Sequence, residues 1–220
     1  MAAAPPPPDR DGYFDRWAAT HGGYDPRSNV LVRGWLGIAY AVARPLAAAR
    51  VPPDVVTFCG VIASAGVLAL AGLGGAWLLL AAGLAVVAGL LDNLDGAVAV
   101  LRGRVSAFGT VLDSTCDRVS DLFLVAALWA AGAPALASVL GGALMVVQEY
   151  ARATAAAAGM REVGVVTVWE RPTRVIVTAA FLASAAALGD PWPELGAWAW
   201  TGLGAVGLTQ LLVVVRRRLS

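Results

Sequence analysis

The chemistry-bearing residues of this chain are concentrated between Asp92 and Asp121, which reads D-N-L-D-G-A-V-A-V-L-R-G-R-V-S-A-F-G-T-V-L-D-S-T-C-D-R-V-S-D. Asp92 and Asp95 are three apart; Asp113, Asp117 and Asp121 are four apart. On helices both spacings put the carboxylates on one face. Arg102-Gly103-Arg104 is a polar break between the two sets. If one helix ends near residue 101 and the next begins near 105, Asp95 lies about 9 Å and Asp113 about 12 Å from the turn. An antiparallel hairpin therefore brings both sets to a similar level. A carboxylate at the centre of a bilayer costs roughly 2.5–3.5 kcal/mol, and only Arg102, Arg104 and Arg118 are near in sequence. The remaining negative charge calls for hard divalent cations with oxygen ligands, Mg²⁺ or Mn²⁺, held by Asp92, Asp95, Asp113 and Asp117.

The elements that must position these acids are apolar. The chain has 220 residues, is 59% hydrophobic and has a mean hydropathy of +0.71. Its net charge of +1 leaves no bulk nucleic-acid footprint. All 16 basic residues are arginine. Residues 1–27 read as a disordered or polar leader that opens with the proline run Pro5 to Pro8 and carries the solvated His21. No basic stretch runs directly into an apolar one there, so no signal peptide is expected. Residues 29–49 mix apolar side chains with Arg33 and Arg44, an amphipathic helix for the membrane interface.

Six spans follow, at about 54–73, 75–101, 106–131, 134–158, 173–188 and 196–215, each near the length needed to cross. Asp190 to Glu194 reads as a turn and residues 217–220 as a basic tail. The fold class is thus all-α and integral to the membrane: six transmembrane helices behind an interfacial helix. Cys59 and Cys116 both fall in apolar segments and read as buried small residues rather than a disulfide. Arginine gathers near residues 50, 103, 152–174 and 216 and is missing from the turns near 74, 132 and 190. The positive-inside rule then puts the acidic hairpin turn and both termini in the cytoplasm.

Three other readings compete for the acids. A structural Asp–Arg network needs fewer carboxylates at such regular spacing. An ion or proton pathway fits intramembrane acids, but neither an internal repeat nor a broken helix accompanies them. An intramembrane prenyltransferase separates its acidic motifs by more chain than lies between Asp95 and Asp113. The pattern D-x-x-D-G-x-x-A followed by G-x-x-x-D-x-x-x-D, here Asp92, Asp95, Gly96, Ala99, Gly109, Asp113 and Asp117, resembles the signature of the CDP-alcohol phosphatidyltransferase family. P-D-x-x-T at Pro53, Asp54 and Thr57, and E-R-P-x-R from Glu170 to Arg174, are similar to its actinobacterial branch. The resemblance covers about residues 28–216. It departs at Val100, where the family pattern has arginine; Arg104, one turn further along, is the expected substitute.

The resemblance implies a membrane transferase of phospholipid biosynthesis, a homodimer, that moves a phosphatidyl group from CDP-diacylglycerol to an acceptor hydroxyl and releases CMP. It places Asp54, Thr57, Gly96, Ala99, Arg104 and Gly109 around the donor. Two metal ions on the four motif acids would grip the diphosphate, with Asp117 as general base. Gly96 and Gly109 allow close approach of the nucleotide. Asp121 is expected either to support this shell or to pair with a polar neighbour. Arg152, Arg171 and Arg174 serve either topology or a phosphate on the acceptor. The second role favours an anionic acceptor: phosphatidylglycerol, giving cardiolipin, ahead of inositol phosphate or glycerol phosphate.

Overall fold

The computed structural model describes residues 8–20, 23–160 and 166–219, and these contain helices and no strand. Residues 1–7, His21, Arg161 and Glu162 lie outside them. The helices are α1 (Arg10–Thr20), α2 (Val30–Ala48), α3 (Pro53–Ala71), α4 (Trp77–Arg102), α5 (Ala107–Ala130), α6 (Ala135–Ala157), α7 (Arg171–Leu188) and α8 (Trp192–Leu219), with a short 3₁₀ turn at Pro26–Ser28. The start signals at Pro53-Asp54 and Pro172 open α3 and α7 as a proline in the first turn should. Three helices, α3, α4 and α8, are long and apolar enough to cross a membrane. α5, α6 and α7 have 24, 23 and 18 residues, but their charged side chains lower their hydropathy.

The chain forms two compact units. Unit 1 holds residues up to Cys59 together with Leu90–Thr115. Its core joins Tyr13 and Phe14 of α1, Leu36, Ala39 and Ala43 of α2, Val56 of α3, and Leu94, Ala97, Val98 and Leu101 of α4. Within the stretch read as a leader, residues 10–20 are a helix, because two aromatic side chains anchor it. Arg27 adds polar ties, donating to the Asp11 carbonyl at 2.9 Å and pairing with Asp15 at 2.9 Å. α2 turns Leu36, Ala39 and Ala43 inward and exposes an apolar stripe of Trp35, Ile38 and Val42. It carries Pro45 inside and still runs to Ala48.

Unit 2 holds Gly60–Gly89 and Cys116–Ser220. α6 and α7 both pack on α8. Its core is built of alanine, valine and leucine around an edge-to-face pair, Trp169 and Trp200, with centroids 5.0 Å apart. α8 begins at Trp192, not near 196, and continues through Arg216 to Arg218 to Leu219, so the expected tail is its last turn. Arginine at a helix C-terminus meets the free carbonyl end favourably. Cys116 is buried as expected, whereas Cys59 is exposed; both are free.

Candidate functional site

The local rules that end α4 and start α5 set the site in unit 1. Gly103 has φ +60° and closes α4: its N–H bonds the Val100 carbonyl, and the Arg104 N–H bonds the Ala99 carbonyl at 2.9 Å. That paired return is the left-handed helix stop that favours glycine. Ser106 then caps α5, its Oγ accepting from the Gly109 N–H at 3.0 Å. A Cβ on Gly109 would stand 3.1 Å from that Oγ, so the capping contact itself favours glycine.

A cavity of about 320 Å³ opens in unit 1. Its walls carry Asp92, Asp95 and Asp113, together with the expected donor residues Asp54, Thr57, Gly96, Ala99, Arg104 and Gly109. Asp92 and Asp113 each turn a carboxylate oxygen to within 4.8 Å of the other. Asp95 is 4% exposed and is held differently: it accepts the Thr57 hydroxyl at 2.6 Å and the Gly96 N–H at 2.6 Å. A Cβ on Gly96 would meet no protein atom within 4 Å. The lining has four aspartates against one arginine, a formal charge of −3. Oxygen-only donors with excess negative charge fit a hard divalent cation. Tyr13 and Trp17 of α1 also line the cavity, and burial pushes the Tyr13 hydroxyl up to about 12, so it stays a neutral phenol.

Sequence reasoning did not find Tyr13, Trp17, Asn93, Ser106 or Thr110 in this wall. Ser106 had a signal, a capping serine before an apolar helix. The α1 aromatics had none, because only tertiary packing brings them there.

The acids of unit 2 have other partners. Asp117, one turn after Asp113 on α5, pairs with Arg171 and with Arg118, the latter at 3.5 Å. Asp121 and Arg174 are both fully buried and meet at 2.7 Å. Arg174 also bonds Glu149 at 2.7 Å and the Trp169 carbonyl at 2.9 Å. Arg118 reaches Glu149 at 2.6 Å, and Arg152 reaches Glu170 at 2.7 Å. Thr167 donates both its N–H and its hydroxyl to Glu170. Gln148 fixes the approach to α7 by donating to Thr167 and to the Trp169 carbonyl.

This network decides between the two roles left open for Asp121, in favour of pairing. Arg174, read from sequence as serving either topology or an acceptor phosphate, is a buried guanidinium that bridges two carboxylates. Arg152 and Arg171 are partly exposed within the same network. Glu149 was missed, although an acid in the middle of an apolar helix is itself a signal.

Comparison with known proteins agrees with the motif. The model of the CDP-alcohol phosphatidyltransferase family matches residues 50–214. The phosphatidylinositol phosphate synthase of Mycobacteroides abscessus is 35% identical over 188 residues, covering 80% of this chain and 84% of that protein. The archaetidylinositol phosphate synthase of Methanothermobacter thermautotrophicus is 34% identical, covering 77% and 85%. Among solved structures, the Mycobacterium tuberculosis phosphatidylinositol phosphate synthase with CDP-DAG bound aligns with a TM-score of 0.68 at 32% identity, over 81% of this chain and 93% of that one. The same enzyme in complex with manganese and citrate aligns with a TM-score of 0.69, also at 32% identity, over 81% and 88%.

Proposed function

The chain belongs to the CDP-alcohol phosphatidyltransferase family, and from that premise we propose that it transfers a phosphatidyl group from CDP-diacylglycerol to an inositol phosphate. The observation that carries the donor half is the cavity of charge −3, in which Asp92 and Asp113 face each other and Thr57 fixes Asp95. The relatives' names support the acceptor half. They make phosphatidylinositol phosphate or archaetidylinositol phosphate, so the phosphatidylglycerol acceptor favoured from sequence gives way to the alternative.

Two divalent cations, Mg²⁺ or Mn²⁺, held by Asp92, Asp95, Asp113 and Asp117, would neutralise charge on the diphosphate and on departing CMP. The acceptor hydroxyl oxygen bonds to the phosphorus that carries diacylglycerol, and the bond from that phosphorus to the CMP oxygen breaks. The hydroxyl proton passes to Asp117, which Arg171 and Arg118 hold in place by ion pairs. Thr57 orients Asp95, and the missing side chain of Gly96 leaves room for the nucleotide. Arg152 and Arg171 are the arginines left to meet the acceptor phosphate.

The helix lengths and the arginine distribution support six spans, α3 to α8, with the site facing the cytoplasm. The homodimer follows from the family resemblance alone. The test is purified protein with labelled CDP-diacylglycerol, Mg²⁺ or Mn²⁺, and inositol phosphate, glycerol phosphate or phosphatidylglycerol offered separately. CMP release with phosphatidylinositol phosphate as product is expected. Cardiolipin as the product would overturn the acceptor, and failure to release CMP with any acceptor would overturn the reaction.

A further inference from the structure

Arg16 lies outside the stretch that matches the family, residues 50–214, yet α1 brings its guanidinium to Val100. Its Nη1 donates to the carbonyl of Val100 at 3.2 Å. Val100 lines the cavity, and so do Tyr13, one turn before Arg16 on α1, and Trp17, the residue after it. Val100 is also the one position where the motif departs from its expected arginine. The guanidinium of Arg16 thus lies beside the position where α4 lacks one.

The seat of α1 is built to hold it there. Tyr13 and Phe14 are each 2% exposed. Tyr13 stacks at 5.6 Å on Tyr40 of α2, and the Arg10 and Arg27 guanidiniums lie 5.3 Å and 5.4 Å from the Phe14 ring. Arg104, the substitute expected from sequence, lines the cavity as well. It lies beyond the end of α4, however, whereas Arg16 is anchored on Val100 itself.

We propose that Arg16 is a donor-binding residue, its guanidinium meeting a phosphate of the CDP-linked substrate and replacing the arginine absent at Val100. The inference rests on the reading of the protein as a CDP-dependent transferase. Arg16 has a competing structural role, since the Val100 carbonyl belongs to the last turn of α4 and an arginine there also satisfies the helix end. Phosphate binding and helix capping respond differently to the ligand and to a second substitution.

Binding of CMP and of cytidine, each with Mg²⁺ present, separates them when measured by calorimetry on the full chain. The proteins compared are wild type, Arg16→Ala, Arg16→Gln and the double variant Arg16→Ala/Val100→Arg. Loss of a charged hydrogen bond lowers CMP affinity roughly ten- to hundred-fold in both single variants. Cytidine affinity, which has no phosphate to lose, stays at the wild-type value, and the double variant recovers CMP binding. Unchanged CMP affinity in Arg16→Ala and Arg16→Gln overturns the proposal and leaves Arg16 as a cap on α4. Equal losses for CMP and cytidine, or a CMP loss that Val100→Arg does not restore, overturn it in favour of a damaged seat for α1. A wild-type protein that binds neither ligand removes the underlying transferase reading instead.

Discussion

The cavity of unit 1 and the ion-pair network of unit 2 hold four carboxylates each and treat them in opposite ways. The cavity of unit 1 is lined by Asp54, Asp92, Asp95 and Asp113 against Arg104 alone. Unit 2 sets Asp117, Asp121, Glu149 and Glu170 against Arg118, Arg152, Arg171 and Arg174, four against four. Placing ionised groups in apolar surroundings is costly in both. The network of unit 2 meets that cost with its own arginines; it ties the buried Asp121 to the fold and leaves Asp117 paired but partly exposed. The residues lining the cavity of unit 1 carry a formal charge of −3, which a cationic ligand can offset. Charge balance, and not aspartate at helical spacing, separates the acids of the cavity from the buried Asp121–Arg174 pair.

The largest expected effect tests the unit 1 half of that comparison. Asp92→Asn or Asp113→Asn should lower CMP release by about 10³-fold or more, equivalent to about 4 kcal/mol of lost charge stabilisation. Thermal melting should hold or rise, because each change removes like charge from the cavity. A variant that unfolds while its folded fraction stays active would put that aspartate in the structural class.

Arg174→Ala should do the reverse. Removing one partner from a buried pair leaves the others uncompensated and costs about 3–5 kcal/mol of stability. The melting temperature should drop sharply, while the folded fraction keeps its KM for CDP-diacylglycerol. A stable Arg174→Ala protein with a raised KM for the acceptor would return Arg174 to the role first read from its sequence.

Next comes Thr57→Val, which deletes the hydroxyl that holds Asp95 and keeps the volume. A hydrogen bond to a charged group is worth about 1.5–3 kcal/mol. CMP release should therefore fall roughly ten- to hundred-fold at a nearly unchanged melting temperature. A wild-type rate would show that Asp95 needs no such support.

Much of this was legible in the chain, for identifiable reasons. The helices from α3 to α7 fall within a few residues of expectation, because proline starts and glycine stops mark them locally. The carboxylates Asp92, Asp95 and Asp113 were visible as spaced acids in apolar sequence. Three things depended on tertiary contacts and were not visible. α1 reads as polar because only Tyr13 and Phe14 of its apolar residues are buried in the core, with Trp17 packed against it, too few for a periodic stripe. The fates of Asp121 and Arg174 are decided by each other across 53 positions of sequence, which spacing rules do not span. The start of α8 at Trp192 was hidden by Pro191 and Pro193, which read as a turn; Pro193 instead sits in the first turn of the helix.

The smallest expected effects come from two glycines, one from each unit, changed in the same way. Gly96 lies within α4 on the cavity wall, where a Cβ would meet no protein atom within 4 Å. Gly207 lies within α8, where a Cβ would stand 2.6 Å from the Trp169 Cβ and 2.8 Å from Gln148 Oε1. Alanine is favoured over glycine inside a helix by about 0.8–1.0 kcal/mol. Gly96→Ala should therefore raise stability by up to about 1 kcal/mol. Its methyl group intrudes where the nucleotide is placed, so the KM for CDP-diacylglycerol should rise by about ten-fold. Gly207→Ala gains the same propensity but overpacks the contact that positions Trp169, a cost of typically about 1–3 kcal/mol. Its net change should be a loss of about 0–2 kcal/mol with the KM for the donor untouched. Melting curves and donor titrations of the two variants side by side give a crossed pattern if the units divide chemistry from structure. A donor KM that rises equally in both variants would mean that packing around Trp169 also shapes the donor site, and the division would fail there.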